Sequence, residues 1–384
     1  MTEKERKVEA RTIKQYYSSM KHFYDVFDHE GRKNPAPDTE LAALQNWQRE
    51  ARQKFLHLLG IDRIPSCSLC PELMEVRNEM DYRVERVRIQ SAPGLFIPLT
   101  ILLPNNLKPE EKRPVWMHAF GHGRANRMID EFITMDNAVE RPYEAPYIGA
   151  PAMKDLVKLG YIAIAFDSVG SGERLSYPWL DGEIMDIGAD NPLNNVLTSL
   201  GMSKVGLEVW DLMRVTDYAL SRADCDGRIG VAGTSGGGHQ SLFLAAADER
   251  VQAAVTSVWF YGFKDAHIGL PHNCSCNYVP GLALEFECCD IGSMIAPRAL
   301  QIETGWRDYL SSRKTGLGNV ISQFENTRKS YALYGHEEKL MLYVFDGGHG
   351  CVPWNSEIPG APQSGGAFLS FAQAQIPLRR DGNE

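Results

Sequence analysis

The 384-residue chain contains no run approaching the roughly 20 apolar residues that a membrane-spanning helix requires, so no membrane partner is expected. It also lacks an excess of positive charge. Lys and Arg number 40 against 49 Asp and Glu, a net charge of −9, which argues against nucleic acid or an anionic membrane surface as partner. The charged start Met1-Thr2-Glu3-Lys4-Glu5-Arg6-Lys7 leads into no apolar core of a secretory signal, and a cytoplasmic location is the expectation. Internal repeats and low-complexity tracts are absent as well. A complete set of metal ligands at zinc spacing is missing too. Among eight cysteines, Cys67 and Cys70 form a C-x-x-C, Cys274 and Cys276 a C-x-C, and Cys288 and Cys289 are adjacent. The first two pairs lie far apart, and the second does not fit usual zinc spacing. His118 and His122, four apart in a glycine loop, do not make a metal site by themselves. The sequence therefore calls for no metal and no cofactor. Its thiols, with Cys351 two residues beyond His349, read as reduced groups packed around a loop.

What is present is a Gly233-Thr234-Ser235-Gly236-Gly237 turn directly after the apolar run Arg228-Ile229-Gly230-Val231-Ala232 and before an Ala/Leu-rich helical pattern. In that strand–turn–helix context a G-x-S-x-G sequence reads as a nucleophile elbow. So sharp a turn strains the backbone, and its neighbours must lack bulk, which the glycines at 233, 236, 237 and 238 supply. The turn lifts the Ser235 hydroxyl above the sheet edge and aims a helix N-terminus at the same point. An incidental serine in a glycine-rich loop fits the pentapeptide alone, but not its setting.

A serine nucleophile needs a base and an orienting acid, which such a fold supplies in the order Ser, Asp/Glu, His. Leu340-Met341-Leu342-Tyr343-Val344-Phe345 reads as a buried strand, and Asp346-Gly347-Gly348-His349-Gly350 follows it at once. Flanking glycines let that loop carry His349 toward Ser235. His239, one turn past the serine, reads as a packing residue instead. Ala299-Leu300-Gln301-Ile302-Glu303 is a strand whose exit loop, Thr304-Gly305-Trp306-Arg307-Asp308, offers the acid. Asp308 is the choice and Glu303 the fallback. The carboxylate would hold the histidine tautomer and stabilise the imidazolium formed when Ser235 gives up its proton. The oxyanion hole is assigned to the N–H of Gly236 and a second N–H from the loop after Pro114-Val115-Trp116-Met117-His118-Ala119. Phe120 is preferred for that donor, with Gly121 next, and His118 reads as a buried residue bracing the loop.

Further segments carry a resemblance. They are Trp210-Asp211-Leu212-Met213-Arg214, Asp226-Gly227-Arg228-Ile229-Gly230, Cys274-Ser275-Cys276-Asn277-Tyr278-Val279-Pro280-Gly281-Leu282 and Ile295-Ala296-Pro297-Arg298. With the elbow, they resemble the bacterial acetyl xylan esterase-like branch of the α/β-hydrolase superfamily, related to dienelactone-hydrolase and prolyl-oligopeptidase-like enzymes. The resemblance runs from about Trp47 to His349 and is strongest from Gly201 onward. It implies Ser235 as nucleophile, Asp308 as acid, His349 as base, and hydrolysis of a carboxylic ester, often on a sugar. Many relatives have glycine where this chain has Ala119. Relatives acting on polymeric xylan are normally exported, at odds with the expected cytoplasmic location.

Around these motifs the chain alternates strands and helices. Ile13, Tyr16, Tyr17, Met20, Phe23 and Phe27 recur at helical spacing, and after the Pro35-Ala36-Pro37-Asp38 break so do Leu41, Leu44, Trp47, Phe55, Leu58 and Leu59. Residues 1–75 are read as a helical extension packed on the body, with a contribution to contacts between copies of the chain as the second reading. Residues 76–384 are read as the catalytic α/β domain. There, 82–90 and 95–103 form an antiparallel edge, followed by strands at 115–119, 162–166, 229–232, 253–258, 299–303 and 340–345. Helices are predicted at 153–159, 205–221, 237–247, 320–334 and 367–374. The result is an α/β-hydrolase fold, a mostly parallel doubly wound sheet with an N-terminal helical appendage. Three connections, 124–152, 168–204 and 261–293, are too long for simple loops and are read as lid insertions over Ser235. Their aromatics Phe132, Tyr143, Tyr147, Tyr177, Trp179, Tyr261 and Phe263 are read mainly as the lid's own core, with Asp181, Glu183, Asp186 and Asp190 nearby. Trp259 and Trp306 are chosen as walls touching substrate. Asp167 reads as a loop brace, and Glu173 with Arg174 as a structural pair.

The expected activity is serine esterase chemistry on a small-molecule ester with a short acyl group. An amidase or peptidase with the same triad comes second, although the propeller domain of the related oligopeptidases is missing. A non-catalytic binding protein on a hydrolase fold comes third, since such proteins typically lose a triad member. Serine at 235 disfavours a dienelactone-type cysteine enzyme and a dehalogenase, which needs aspartate.

Overall fold

The structure, a computed structural model, describes residues 17, 19–121, 149–174, 186–269, 274–310, 316–349 and 364–379. Two helices come first, α1 (Met20–Glu30) and α2 (Leu41–Leu59). The strands are β1 (Glu72–Asn78), β2 (Tyr82–Ala92), β3 (Leu95–Pro104), β4 (Arg113–Ala119), β5 (Ile162–Phe166), β6 (Cys225–Thr234), β7 (Val251–Ser257), β8 (Ala299–Gly305) and β9 (Leu340–Phe345). Between and after them lie α3 (Gly149–Leu159), α4 (Asp186–Ser199), α5 (Lys204–Ser221), α6 (Gly236–Ala247), α7 (Cys288–Ile295), α8 (Leu317–Tyr334) and α9 (Ser364–Gln375).

All nine strands join one sheet in the order β1-β2-β3-β5-β4-β6-β7-β8-β9. The first three form an antiparallel meander, β3 pairs antiparallel with β5, and every pair from β5 to β9 is parallel. This is the mostly parallel doubly wound arrangement of an α/β hydrolase. Strands covered by helices on both faces must be apolar throughout, and β5 and β8 are buried at every residue. Helix α6 is likewise buried along its whole length, which places the elbow inside the molecule.

Helix α2 belongs to the same core, whereas α1 buries none of its residues fully. Leu44, Phe55 and Leu59 of α2 are fully buried. The Phe55 ring meets Phe243 of α6 edge-on at 5.0 Å, so α2 packs directly on the elbow helix. Gln48 adds polar ties, donating to the Ser293 and Ala296 carbonyls and accepting from Tyr334. Helix α2 ends at Gly60, whose φ of 78° closes the helix in the left-handed conformation.

Several elements depart from the sequence reading. Strand β1 was not anticipated, because an edge strand exposed along nearly all its length shows no apolar–polar alternation. It pairs with β2 and straddles the 75/76 boundary. Helix α4 lies within the 168–204 connection, and α7 occupies the end of the 261–293 connection. Ile13, Tyr16, His122, Phe132, Tyr143, Tyr147, Tyr177, Trp179, Asp181, Glu183 and Cys351 lie outside the described residues. Among the described residues no helix is long and apolar enough to cross a membrane.

Because Phe55 reaches the elbow helix, Phe55→Ala should cost about 3–5 kcal/mol, the range for a fully buried aromatic. Urea denaturation measures it. A cost below about 1 kcal/mol would make α2 a peripheral attachment.

Candidate active site

Ser235 sits between β6 and α6 with φ 56° and ψ −119°, a left-handed backbone that an L residue adopts only under constraint. Two backbone hydrogen bonds hold it there. Its N–H donates to the Ser257 carbonyl at 2.9 Å, and its own carbonyl accepts from the His239 N–H at 3.0 Å. Space explains the glycines. A Cβ on Gly237 would stand 2.0 Å from the Ala119 carbonyl oxygen, and one on Gly233 would stand 2.2 Å from that of Gly237.

The three chemically matched residues meet. Ser235 Oγ is 2.9 Å from His349 Nε2, and His349 Nδ1 lies 3.2 and 3.1 Å from the two Asp308 oxygens. With Nδ1–H donated to the carboxylate, Nε2 is left to accept the Ser235 hydroxyl proton. The Asp308 side chain is 1% exposed and that of His349 19%, so the carboxyl is sealed while the imidazole keeps some access to solvent. Asp308 is further oriented by accepting the Leu310 N–H at 2.9 Å.

Two loops clamp this pair. Arg307 N–H donates to the Gly347 carbonyl, and Trp306 N–H to that of Phe345. A Cβ on Gly305 would lie 2.3 Å from the Gly348 carbonyl oxygen, so glycine is required for the acid loop to lie against the base loop. Glu303, the alternative acid, is instead buried beneath. It accepts from Gln301 Nε2 at 2.7 Å and from Ser257, and burial pushes its carboxyl up to about 7.

The loop after β4 reaches the elbow. Gly121 has φ 65°, and a Cβ there would be 2.5 Å from the Gly237 nitrogen, so the Phe120–Gly121 backbone abuts the first turn of α6. The Phe120 side chain is buried beside Met153 and Val157, and His118 meets it edge-on at 4.8 Å. Burial lowers the His118 imidazole to about 4, which keeps it neutral.

The two tryptophans part company. Trp306 is 52% exposed at the rim, its indole N–H donated to Asp346 and its ring covered by Arg307 at 5.1 Å. Trp259 is 2% exposed and lies in the core, a departure from the expected substrate wall. Val258, at φ 54°, turns the chain as it leaves β7, and the Trp259 ring stacks on His239 at 3.8 Å, with its N–H taken by Asn277. Tyr261 and Phe263 are buried with it. Glu173 and Arg174 also differ, since each has a partner on another element, Arg86 and Asp211 respectively. Asp167 braces its loop as read, accepting the Glu173 N–H.

Two neighbours of the site were not anticipated. The Ser257 carbonyl accepts the Ser235 N–H, and Tyr309 has its ring 6.2 Å from that of His349. Position was their one signal, at a strand end and beside the acid. Among the described residues no three His, Cys, Asp or Glu side chains converge as metal ligands.

Residues 10–313 match the Abhydrolase family, a span that includes Ser235 and Asp308. The chain belongs to that family. It is 26% identical over 276 residues to "Putative hydrolase YtaP" of Bacillus subtilis, covering 68% of this chain and 82% of the relative. In fold it is similar to a putative acetyl xylan esterase from Bacteroides fragilis, with TM-score 0.70 and 19% identity over 86% of this chain and 83% of that one. A glucuronoyl esterase from Solibacter usitatus shares the fold at TM-score 0.59 and 16% identity, covering 90% of this chain and 96% of that one.

Glu303 generates a pH prediction. Burial raises its folded-state pKa to about 7 from the ordinary glutamate value of 4.5, so the folded protein binds the extra proton. The contribution is fully present below about 4.5 and is lost as pH rises toward 7. Glu303→Gln keeps the hydrogen bonds without the titration. Its stability relative to wild type should therefore rise by roughly 1–3 kcal/mol between pH 4.5 and 7.5. Urea midpoints across that range measure it, and a constant difference would show that Glu303 does not titrate there.

Proposed function

We propose that the protein is a serine esterase that removes a short acyl group, such as acetyl, from a small alcohol of carbohydrate type. The observation that carries this reading is the unbroken contact from Ser235 Oγ through His349 to Asp308. His349 takes the Ser235 proton as the hydroxyl oxygen attacks the ester carbonyl. The oxyanion that forms accepts from the Gly236 N–H and from an N–H of the abutting 120–121 loop, with Phe120 as the assigned residue. His349 then protonates the departing alcohol and activates water against the acyl-enzyme, while buried Asp308 stabilises the imidazolium in both halves. No cofactor enters the cycle.

The acyl preference has separate support. The solved relatives of like fold are named as esterases, one of them a putative acetyl xylan esterase. The described lid helix α4, Asp186–Ser199, reads DIGADNPLNNVLTS, which is not the long apolar lid of a lipase. Trp306, exposed beside the acid loop, is the surface on which a flat alcohol could rest.

Ser235→Ala should remove p-nitrophenyl acetate turnover, by on the order of 10³-fold or more, while urea unfolding stays close to wild type. Unchanged turnover would sink the assignment. A panel of p-nitrophenyl acetate, butyrate and octanoate addresses acyl size. In a tight pocket one methylene is worth roughly 1–3 kcal/mol, so kcat/KM should fall steeply from acetate to octanoate. Equal or rising values would mean an open acyl pocket and a different substrate class.

A further inference from the structure

We propose that Cys274 and Cys276 form a redox-active dithiol that closes to a disulfide by exchange with a low-molecular-weight disulfide, and that closure slows turnover at Ser235. The two sulfurs are 2.9 Å apart across the turn Ser275–Asn277. A covalent S–S bond is about 2.05 Å, and two thiolates chelating one zinc at about 2.3 Å each would stand about 3.8 Å apart. The observed separation is too short for shared metal ligation, and a shift of under about 1 Å would complete the bond.

Access favours this pair over the adjacent Cys288 and Cys289. Cys274 is half-buried, so solvent reaches it, while Cys276 is 3% exposed behind it. Cys288 and Cys289 are fully buried, and burial beside Glu287 and Asp290 pushes both thiols up, away from the reactive thiolate. In the exchange, the Cys274 thiolate attacks the small disulfide and expels one small thiolate. The Cys276 thiolate then attacks Cys274 Sγ, forms the intramolecular bond and expels the second. The protons given up by the two cysteines go to the two departing thiolates. Two cysteines are oxidised as one disulfide is reduced to two thiols.

The link to the nucleophile is a chain of contacts. Asn277 Nδ2 donates to the Cys274 carbonyl at 3.1 Å and to Cys276 Sγ at 3.7 Å, and its Oδ1 accepts the Trp259 indole N–H. Trp259 stacks on His239, whose backbone N–H holds the Ser235 carbonyl. Drawing the two sulfurs together moves the turn on which Asn277 rides, and the grip on Trp259 loosens.

The test treats the reduced full-length protein with oxidised glutathione. The chymotryptic peptide ending at Tyr278 should lose two hydrogens and regain them with dithiothreitol. Cys276→Ser should instead trap glutathione on Cys274. On oxidation the Trp259 indole proton should exchange faster with solvent, and p-nitrophenyl acetate turnover should fall by about fivefold, reversibly, in wild type but not in Cys276→Ser. The proposal is overturned if the peptide keeps both thiols while exposed Cys70 takes up glutathione. It is equally overturned if the disulfide forms and leaves both Trp259 exchange and turnover unchanged. The turnover arm rests on the esterase reading. A reduced protein with no turnover would count against that reading, whereas peptide mass and indole exchange would still decide the dithiol.

Discussion

The structure turns on a close approach of three backbones at the elbow. The first turn of α6, the end of β4 and the loop after it come so near that Gly121, Gly233 and Gly237 have no room for a Cβ. That approach keeps Ser235 in its left-handed conformation, at a cost of order 1–3 kcal/mol that the surrounding fold must over-determine. It also brings the 120–121 backbone beside the N-terminus of α6, where unpaired N–H groups gather. The strained backbone of Ser235 and the nearness of the 120–121 loop to α6 are thus two results of one packing constraint. The burial of all twelve residues of α6 makes it stiff, and Phe55 of α2 stiffens it from outside.

The other two site residues arrive by the logic of a parallel sheet, in which every strand delivers its C-terminal end to the same edge. Ser235 follows β6, and Asp308 and His349 follow the adjacent β8 and β9. Between them β7 supplies Ser257, which holds the elbow by its carbonyl and reaches Glu303 by its hydroxyl. The acid and base loops bind one another through Arg307 and Gly347, so the His349–Asp308 distance is set by backbone rather than by two mobile side chains.

Much of this was legible in the sequence because Ser235, Asp308 and His349 each follow an apolar strand and lie near glycines, of which Gly233, Gly237 and Gly305 have a steric reason to be there. The same reading failed where the local signal is shared by two outcomes. An aromatic just past a strand end can face a pocket or the core, and the positive φ of Val258, which decides the matter for Trp259, leaves no mark on composition. Strand β1 shows neither alternation nor an apolar run, because only its pairing with β2 makes it a strand. Glu173 and Arg174 looked paired by adjacency. Their true partners, Arg86 and Asp211, come from β2 and α5, at a distance that spacing along the chain cannot measure.

The choice between Glu303 and Asp308 shows how environment assigns roles to two carboxyls on one strand exit. Glu303 lies in the sheet layer, with Gln301 and Ser257 as its hydrogen-bond donors, and burial there favours its proton up to about pH 7. A carboxyl whose charged form is disfavoured by burial is poorly suited to stabilise an imidazolium. Asp308 lies past Gly305, on a loop whose backbone is pinned to the histidine loop, and both its oxygens face His349 Nδ1. That carboxyl therefore lies against the imidazole whose other nitrogen touches Ser235 Oγ. Separation by environment of two nearby carboxyls is a general route to distinct roles. Here one is a buried brace beside Ser257 and the other the partner of His349, and the residue that divides them is Gly305, the point at which the chain leaves the sheet.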